Sequence, residues 1–350
     1  MRKPFVDNLR GMAVLLLFPV HTFMVWNDFG SGFYIWAGAD RRLSTCIVLI
    51  NPWLMPLLFV LAGISARYAL QTRTVKAFVV QRTRRLLLPF IVGTAVLAPL
   101  QTWYARRYFD HYEGGIRAHW SWFFTHLTDL SGYDGAFTPG HLWFILFLFL
   151  ISLAALPVLQ AIPYEKCSEF AQKIPVPAIL LLFIPVWLMY HLGNFNGFSI
   201  GKYFTLYLIG YYLLSNDTVT EKLEQHKNRM IWLWGIGTAV SAVLYGRFSY
   251  YGDVWVNLTG WISVLALLIL GKTVWNRRSG FTVFAEKCSY QIYLLHLPIL
   301  VAAAYHAAGR FHSVMAQVLS IWMGSLVLTV SACLLLKRIF AAAASRSRRV

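Results

Sequence analysis

Apolar runs of 18 residues or more recur along this 350-residue chain, and no other feature limits its fold as severely. A run of that length with few charges crosses the ~30 Å hydrocarbon core of a bilayer as one helix. Composition agrees. Hydrophobic residues make up 58% of the chain, charged residues 13%, and mean hydropathy is +0.57, whereas a soluble domain carries about 25% charged residues. The sequence predicts an all-α, polytopic transmembrane helix bundle of about ten helices.

The spans are expected at about 9–27, 46–66, 86–104, 141–160, 176–193, 200–214, 230–246, 253–271, 284–307 and 313–336. The sixth is short and follows Asn194-Phe195-Asn196-Gly197. Cytoplasmic loops are enriched in Lys and Arg. With the N-terminus inside, 22 of the 31 Lys and Arg fall on inner segments, 8 on outer ones, and Arg10 lies within the first helix. This alternation predicts a multi-pass protein of the inner (cytoplasmic) membrane with both termini cytoplasmic. Met1-Arg2-Lys3 is like the start of a signal peptide, but Arg10 interrupts the apolar stretch and no small-residue cleavage site follows, so the first helix is expected to stay. The formal charge of +17 first suggests nucleic acid, yet no basic patch interleaved with aromatics sits on a soluble region, and no nucleic-acid partner is expected. Nothing in 1–350 is long enough for a separate soluble domain apart from the membrane domain. The one long connection is the outer loop 105–140. Cys46, Cys167, Cys288 and Cys333 are single and far apart, without metal or redox spacing, and are expected in the apolar core.

The first span, Asp7 to Trp26, carries Arg10 and His21. Ionisable groups inside a bilayer cost several kcal/mol and mark functional sites by default. Eleven residues at ~100° each return within about 20° of the starting face, so the two point the same way, roughly 16 Å apart along the helix. Asp7, three residues before Arg10, is placed to pair with it. Pro19 removes a backbone bond just before His21 and is expected to kink the helix. The bland alternative is an Arg10 that snorkels to the surface and a His21 that bonds a neighbouring helix.

Asp7-x-Leu9-Arg10-Gly11 followed by His21 resembles the first helix of acyltransferase family 3. These are integral-membrane O-acyltransferases, many of which modify bacterial surface and periplasmic carbohydrates. Three further stretches carry the resemblance. Leu58-Phe59-Val60-Leu61-Ala62-Gly63-Ile64-Ser65 is similar to a family element, with Ala62 where serine is usual, and its small residues equally suit close helix packing. Gln81-Arg82-Thr83-Arg84-Arg85 at the inner mouth of the third span contains an Arg-x-x-Arg pair, Arg82 and Arg85, that the resemblance assigns to acyl-coenzyme A. Guanidiniums grip phosphates through bidentate bonds; the alternative is ordinary inner-side charge on anionic lipid. Pro139-Gly140-His141-Leu142-Trp143-Phe144 and Ser289-Tyr290-Gln291-Ile292-Tyr293-Leu294-Leu295-His296 resemble the family's His-Leu-Trp-Phe and Ser-Tyr-x-x-Tyr-Leu-x-His elements. Tyr293 and His296 share a face, and the spacing puts His296 roughly 10 Å into the membrane from the inner side.

The resemblance implies transfer of an acyl group, of the acetyl or succinyl type, from acyl-coenzyme A to a carbohydrate or glycolipid hydroxyl. His21, Arg10 and Asp7 would be catalytic, and Arg82 and Arg85 would hold the donor. His141 would orient the acceptor, Trp143 would stack on it, and Tyr293 and His296 would support them. No bound cofactor or metal is expected, and membrane lipid is the remaining partner. The remaining histidines, His111, His119, His126, His191, His226, His306 and His312, receive no role. The rival class is a transporter or flippase for a polyol or lipid-linked substrate, with buried Arg and His lining a pathway. It would show inverted repeats and broken helices, and the halves of the chain show no matching segments.

Overall fold

The computed structural model describes residues 3–30, 32–195 and 197–347, with the side chains of Phe195 and 340–347 left out. Met1 and Arg2 of the basic start, Asn196 of the turn before the sixth span, and Arg348 and Arg349 of the basic tail lie outside the described residues.

In chain order the helices are α1 (Pro4–Phe23), α2 (Arg41–Thr72), α3 (Val75–Arg82), α4 (Leu88–Val96), α5 (Ala98–Phe109), α6 (Ile116–Thr125), α7 (Trp143–Ala161), α8 (Tyr164–Lys173), α9 (Val176–Leu181) and α10 (Phe183–Leu188). After a two-stranded hairpin, β1 (Asn194–Phe195) and β2 (Phe198–Ser199), come α11 (Ile200–Ile209), α12 (Asp217–Gln225), α13 (Lys227–Phe248), α14 (Asp253–Val274), α15 (Gly280–Ala307) and α16 (Val314–Ser347). Among the described residues the chain is all-α apart from this hairpin. Proline opens α1, where its missing N–H would be unpaired anyway. Thr74 caps α3 by accepting from the Ala77 N–H, and Ser199 caps α11 by accepting from the Lys202 N–H. Helix α1 runs on through Pro19 and gives way to a 3₁₀ turn only at Met24–Trp26, so the residue expected to kink it lies inside one continuous element.

Among the described residues, seven helical segments are long and apolar enough to cross a membrane, and a bent pair built from α8 and 176–191, broken by 117°, makes an eighth if it is one span. All ten spans expected from sequence coincide with helical segments, and three of them fall short by these criteria. Segment 176–193 is interrupted and belongs to the bent pair. Segment 200–214 is α11 followed by a π-helical turn, Gly210–Leu214. Helix α13 has the length, but its tryptophans and glycines dilute its apolarity.

The chain divides into two compact units. The first comprises Met1–Ala13, Thr45–Ile91 and Trp143–Thr282; the second comprises Val14–Ser44, Val92–Leu142 and Val283–Val350. In the first unit α2 crosses the α11 segment at very short range. A Cβ on Gly63 would lie 2.1 Å from the Tyr207 carbonyl oxygen, and one on Gly210 would lie 2.4 Å from that of Val60. Only glycine permits backbone to meet backbone so closely, which is the packing reading of the Ala62-Gly63 stretch. In the second unit the polar segment 27–40 is pinned by the Ala37 and Asp40 N–H groups donating to the Val25 and Trp26 carbonyls, both at 2.8 Å. Arg41 closes it with an ion pair to Asp28 at 2.6 Å.

Candidate functional site

The first unit holds the arginines. Arg10 bonds Asp7 Oδ1 through Nη1 at 3.2 Å and Ser65 Oγ through Nη2 at 3.0 Å. Ser65 Oγ in turn donates to the Leu61 carbonyl at 2.7 Å. Asp7 is buried while a third of the Arg10 side chain stays exposed. The i,i+3 pair expected from sequence is present. Its third member, Ser65, has no assigned role in the sequence reading; its signal is a hydroxyl at the end of the small-residue run Ala62-Gly63-Ile64-Ser65.

Arg82 and Arg85 straddle a π-helical turn, Thr83–Leu87. A π turn spreads residues three apart further around the axis than an α-helix does, and the two guanidiniums sit in different environments. Arg82 is partly buried, packs over the Phe78 ring at 4.7 Å and has a buried Nε without a partner. Arg85 is exposed. The extra residue per turn separates a partly buried arginine from an exposed one. Arg67 on α2 adds another buried, unpartnered Nε, although its guanidinium lies over Tyr164 at 3.6 Å and 3.7 Å from Glu165. Trp143 also belongs to this unit, where its indole stacks on Phe198 at 4.0 Å. That contact takes one of the faces a sugar ring would use.

The second unit gathers three imidazoles. The ring centroids of His21 and His296 are 5.3 Å apart, and those of His141 and His296 are 5.0 Å apart. His296 sits well inside α15, which begins at Gly280. Sixteen residues then carry it about 24 Å along the axis, matching the roughly 26 Å that separate Pro4 from His21. Local bonds set the ring tautomers. A carbonyl can only accept, so His141 Nε2 donates to the Leu294 carbonyl at 3.1 Å and His296 Nδ1 donates to the Tyr293 carbonyl at 2.6 Å. The Tyr293 hydroxyl donates to the His141 carbonyl and ties α15 to the 3₁₀ turn at Gly140–Leu142. The opposite nitrogens, His141 Nδ1 and His296 Nε2, are then lone-pair bearers. Both are buried without a partner, as is His21 Nδ1. Among the described residues no group of three His, Cys, Asp or Glu has metal-binding geometry. The three rings form a cluster of bases suited to accepting and returning a proton.

A polar wall adjoins this cluster. His21 stacks on Phe33 at 6.1 Å, and Phe33 meets Tyr34 and Tyr133 at 5.5 and 6.0 Å. Burial pushes the Tyr34 phenol up, and burial followed by the charge of Asp129 pushes Tyr133 up to about 12, so both remain donors. His119, given no role from sequence, is fully buried against Thr102 Oγ1 at 2.9 Å. Burial, with the Arg106 charge behind it, pushes its imidazole down to about 4.

A family model described as an acyltransferase domain, that of acyltransferase family 3, matches residues 3–338. The chain belongs to this family of membrane acyltransferases, as its Arg10-to-His21 stretch suggested. No curated protein and no solved structure matches it.

Proposed function

We propose that this protein moves an acyl group, of the acetyl or succinyl type, from acyl-coenzyme A to a hydroxyl of a carbohydrate or glycolipid. One observation carries the reading: His21 and His141 each lie about 5 Å from His296, and each of the three imidazoles has a buried, unpartnered nitrogen, in a chain of an acyltransferase family. His21 takes the acceptor proton as the hydroxyl oxygen attacks the thioester carbonyl. The alternative sequence is an acyl-imidazole formed first on His21 and then passed to the hydroxyl. In both, the C–S bond breaks, the ester C–O bond forms, and the coenzyme A thiolate leaves with the proton. Tyr293, His141 and His296 position the rings. Arg10, braced by Asp7 and Ser65, faces the negative charge of the donor or of the developing oxyanion. Arg82 and Arg85 grip the donor phosphates from the cytoplasmic face of the inner membrane, where the distribution of Lys and Arg supports both termini.

The test is release of coenzyme A by purified protein given acetyl- or succinyl-coenzyme A and a mixture of carbohydrate acceptors, with the acylated product weighed by mass spectrometry. Release that depends on acceptor, with a mass gain on a sugar, is expected. No release with any donor and acceptor would overturn the proposal.

A further inference from the structure

Gln101, on α5 in the second unit, is fully buried, and neither its amide oxygen nor its amide nitrogen has a hydrogen-bond partner. It lies beside Gly140, the residue before His141. Both amide atoms and the Tyr34 hydroxyl come within 3.5 Å of the point where a side chain on Gly140 would begin. Gly140 has φ +52°, a conformation that disfavours a side chain. Its N–H donates to Thr138 Oγ1 at 2.8 Å, and that hydroxyl donates to the Leu130 carbonyl at 2.6 Å. The turn beside Gln101 is thus held in place, and the glycine leaves the Gln101 amide and the Tyr34 hydroxyl facing the space that a Cβ would fill. The rings of Phe33 and Tyr133 border Tyr34, and Phe33 continues to His21.

Leaving both ends of an amide buried and unbonded destabilises a fold, and such groups call for a specific explanation. A primary amide offers one acceptor and two donors side by side. Adjacent hydroxyls of a sugar each give and take one hydrogen bond, so a vicinal diol satisfies both ends of the amide at once. The groups at the turn are two phenols and a phenyl ring, with the Asp129 carboxylate acting on Tyr133, which suits an uncharged ligand with an apolar C–H face better than a phosphate. We propose that Gln101 and the Tyr34 hydroxyl bind a vicinal diol of the acceptor carbohydrate, with Phe33 and Tyr133 against the sugar face, and so present a hydroxyl to the histidines. Gln101 is a positioning residue in this scheme, not a catalytic one. The proposal rests on acyl transfer to a carbohydrate as put forward above.

The experiment compares wild type, Gln101→Leu and Tyr34→Phe in detergent, using a panel of methyl glycosides and their single-deoxy analogues as acceptors. Gln101→Leu should raise the acceptor KM about tenfold or more, the effect of losing one or two hydrogen bonds, while leaving acyl-coenzyme A affinity unchanged. Its melting temperature should equal or exceed that of wild type, because an unpartnered amide has been replaced by an apolar side chain. Tyr34→Phe should raise the same KM to a smaller extent. The variants should also lose the discrimination that wild type shows against the deoxy analogue lacking one hydroxyl of the pair. Wild-type KM in Gln101→Leu, or a fall in melting temperature with unchanged KM in both variants, would overturn the subsite while leaving wild-type transfer intact. Failure of the parent reading looks different: wild type would then acylate no sugar in the panel, and both proposals would fall.

Discussion

At one end of α1 the Arg10 guanidinium divides its nitrogens between Asp7 and Ser65; at the other the Nδ1 of His21 is buried and bonds nothing. The difference follows from charge. An ionised side chain taken out of water costs so much that the fold compensates it from within, here with a carboxylate three residues away and a hydroxyl from α2. A neutral imidazole left unbonded costs only about 1–3 kcal/mol, which a fold can carry where a substrate supplies the missing partner. The same holds for His141, His296 and Gln101. The Arg10 end is thus a completed network, and the His21 end is one that a ligand completes.

The largest expected effect at the Arg10 end comes from Arg10→Lys, which keeps the charge but cannot divide a planar fork between Asp7 and Ser65. Turnover should fall about 10²-fold, the usual result of losing a charge-stabilising donor. An Arg10 that merely snorkels would tolerate lysine, and wild-type turnover would erase the contrast between the two ends. Gly63→Ala acts on stability instead. Its Cβ would meet the Tyr207 carbonyl at 2.1 Å, so α2 and α11 must separate at a cost of about 1–3 kcal/mol. Thermal unfolding in detergent reads this, and turnover per folded molecule should change little. An unchanged melting temperature would mean that the crossing is looser than described.

A smaller effect, about tenfold on donor affinity, is expected for the arginine pair, and the π turn divides it. Arg85→Gln should cost less as salt rises, because exposed charges are screened. Arg82→Gln should be less sensitive to salt, since its Nε is buried. Equal salt dependence would place both on one exposed face. The smallest effect belongs to His119. Its folded value near 4 lies below the free value of about 6.5. Its neutral form therefore stabilises the fold fully above about pH 6.5, and that contribution is lost as pH falls toward 4. His119→Gln should flatten the loss of thermal stability between pH 7 and 4.5, and identical slopes would remove His119 from the account.

Long apolar runs made the helices legible, and the i,i+3 relation gave the Asp7–Arg10 pair, because both are local properties of one helix. Three things were not local. The approach of His21, His141 and His296 depends on where α15 begins and on how three segments far apart in sequence pack. The π turn between Arg82 and Arg85 inserts a residue that the motif spacing does not reveal. Gln101 stands in an otherwise ordinary helix end, Leu100-Gln101-Thr102, and only its burial without partners sets it apart. Trp143 shows the converse, since a motif position favourable for sugar stacking is engaged by Phe198 in the fold.

The measurement that bears most directly on the histidine cluster is acyl transfer per folded molecule in His21→Ala, with monodispersity in detergent as the measure of folding. Removing His21 takes away a side chain whose Nδ1 bonds nothing, so the variant should insert and fold as wild type does. Turnover should fall about 10²-fold or more, the range for a lost general base. Retention of more than about a tenth of wild-type turnover would contradict a catalytic role for His21.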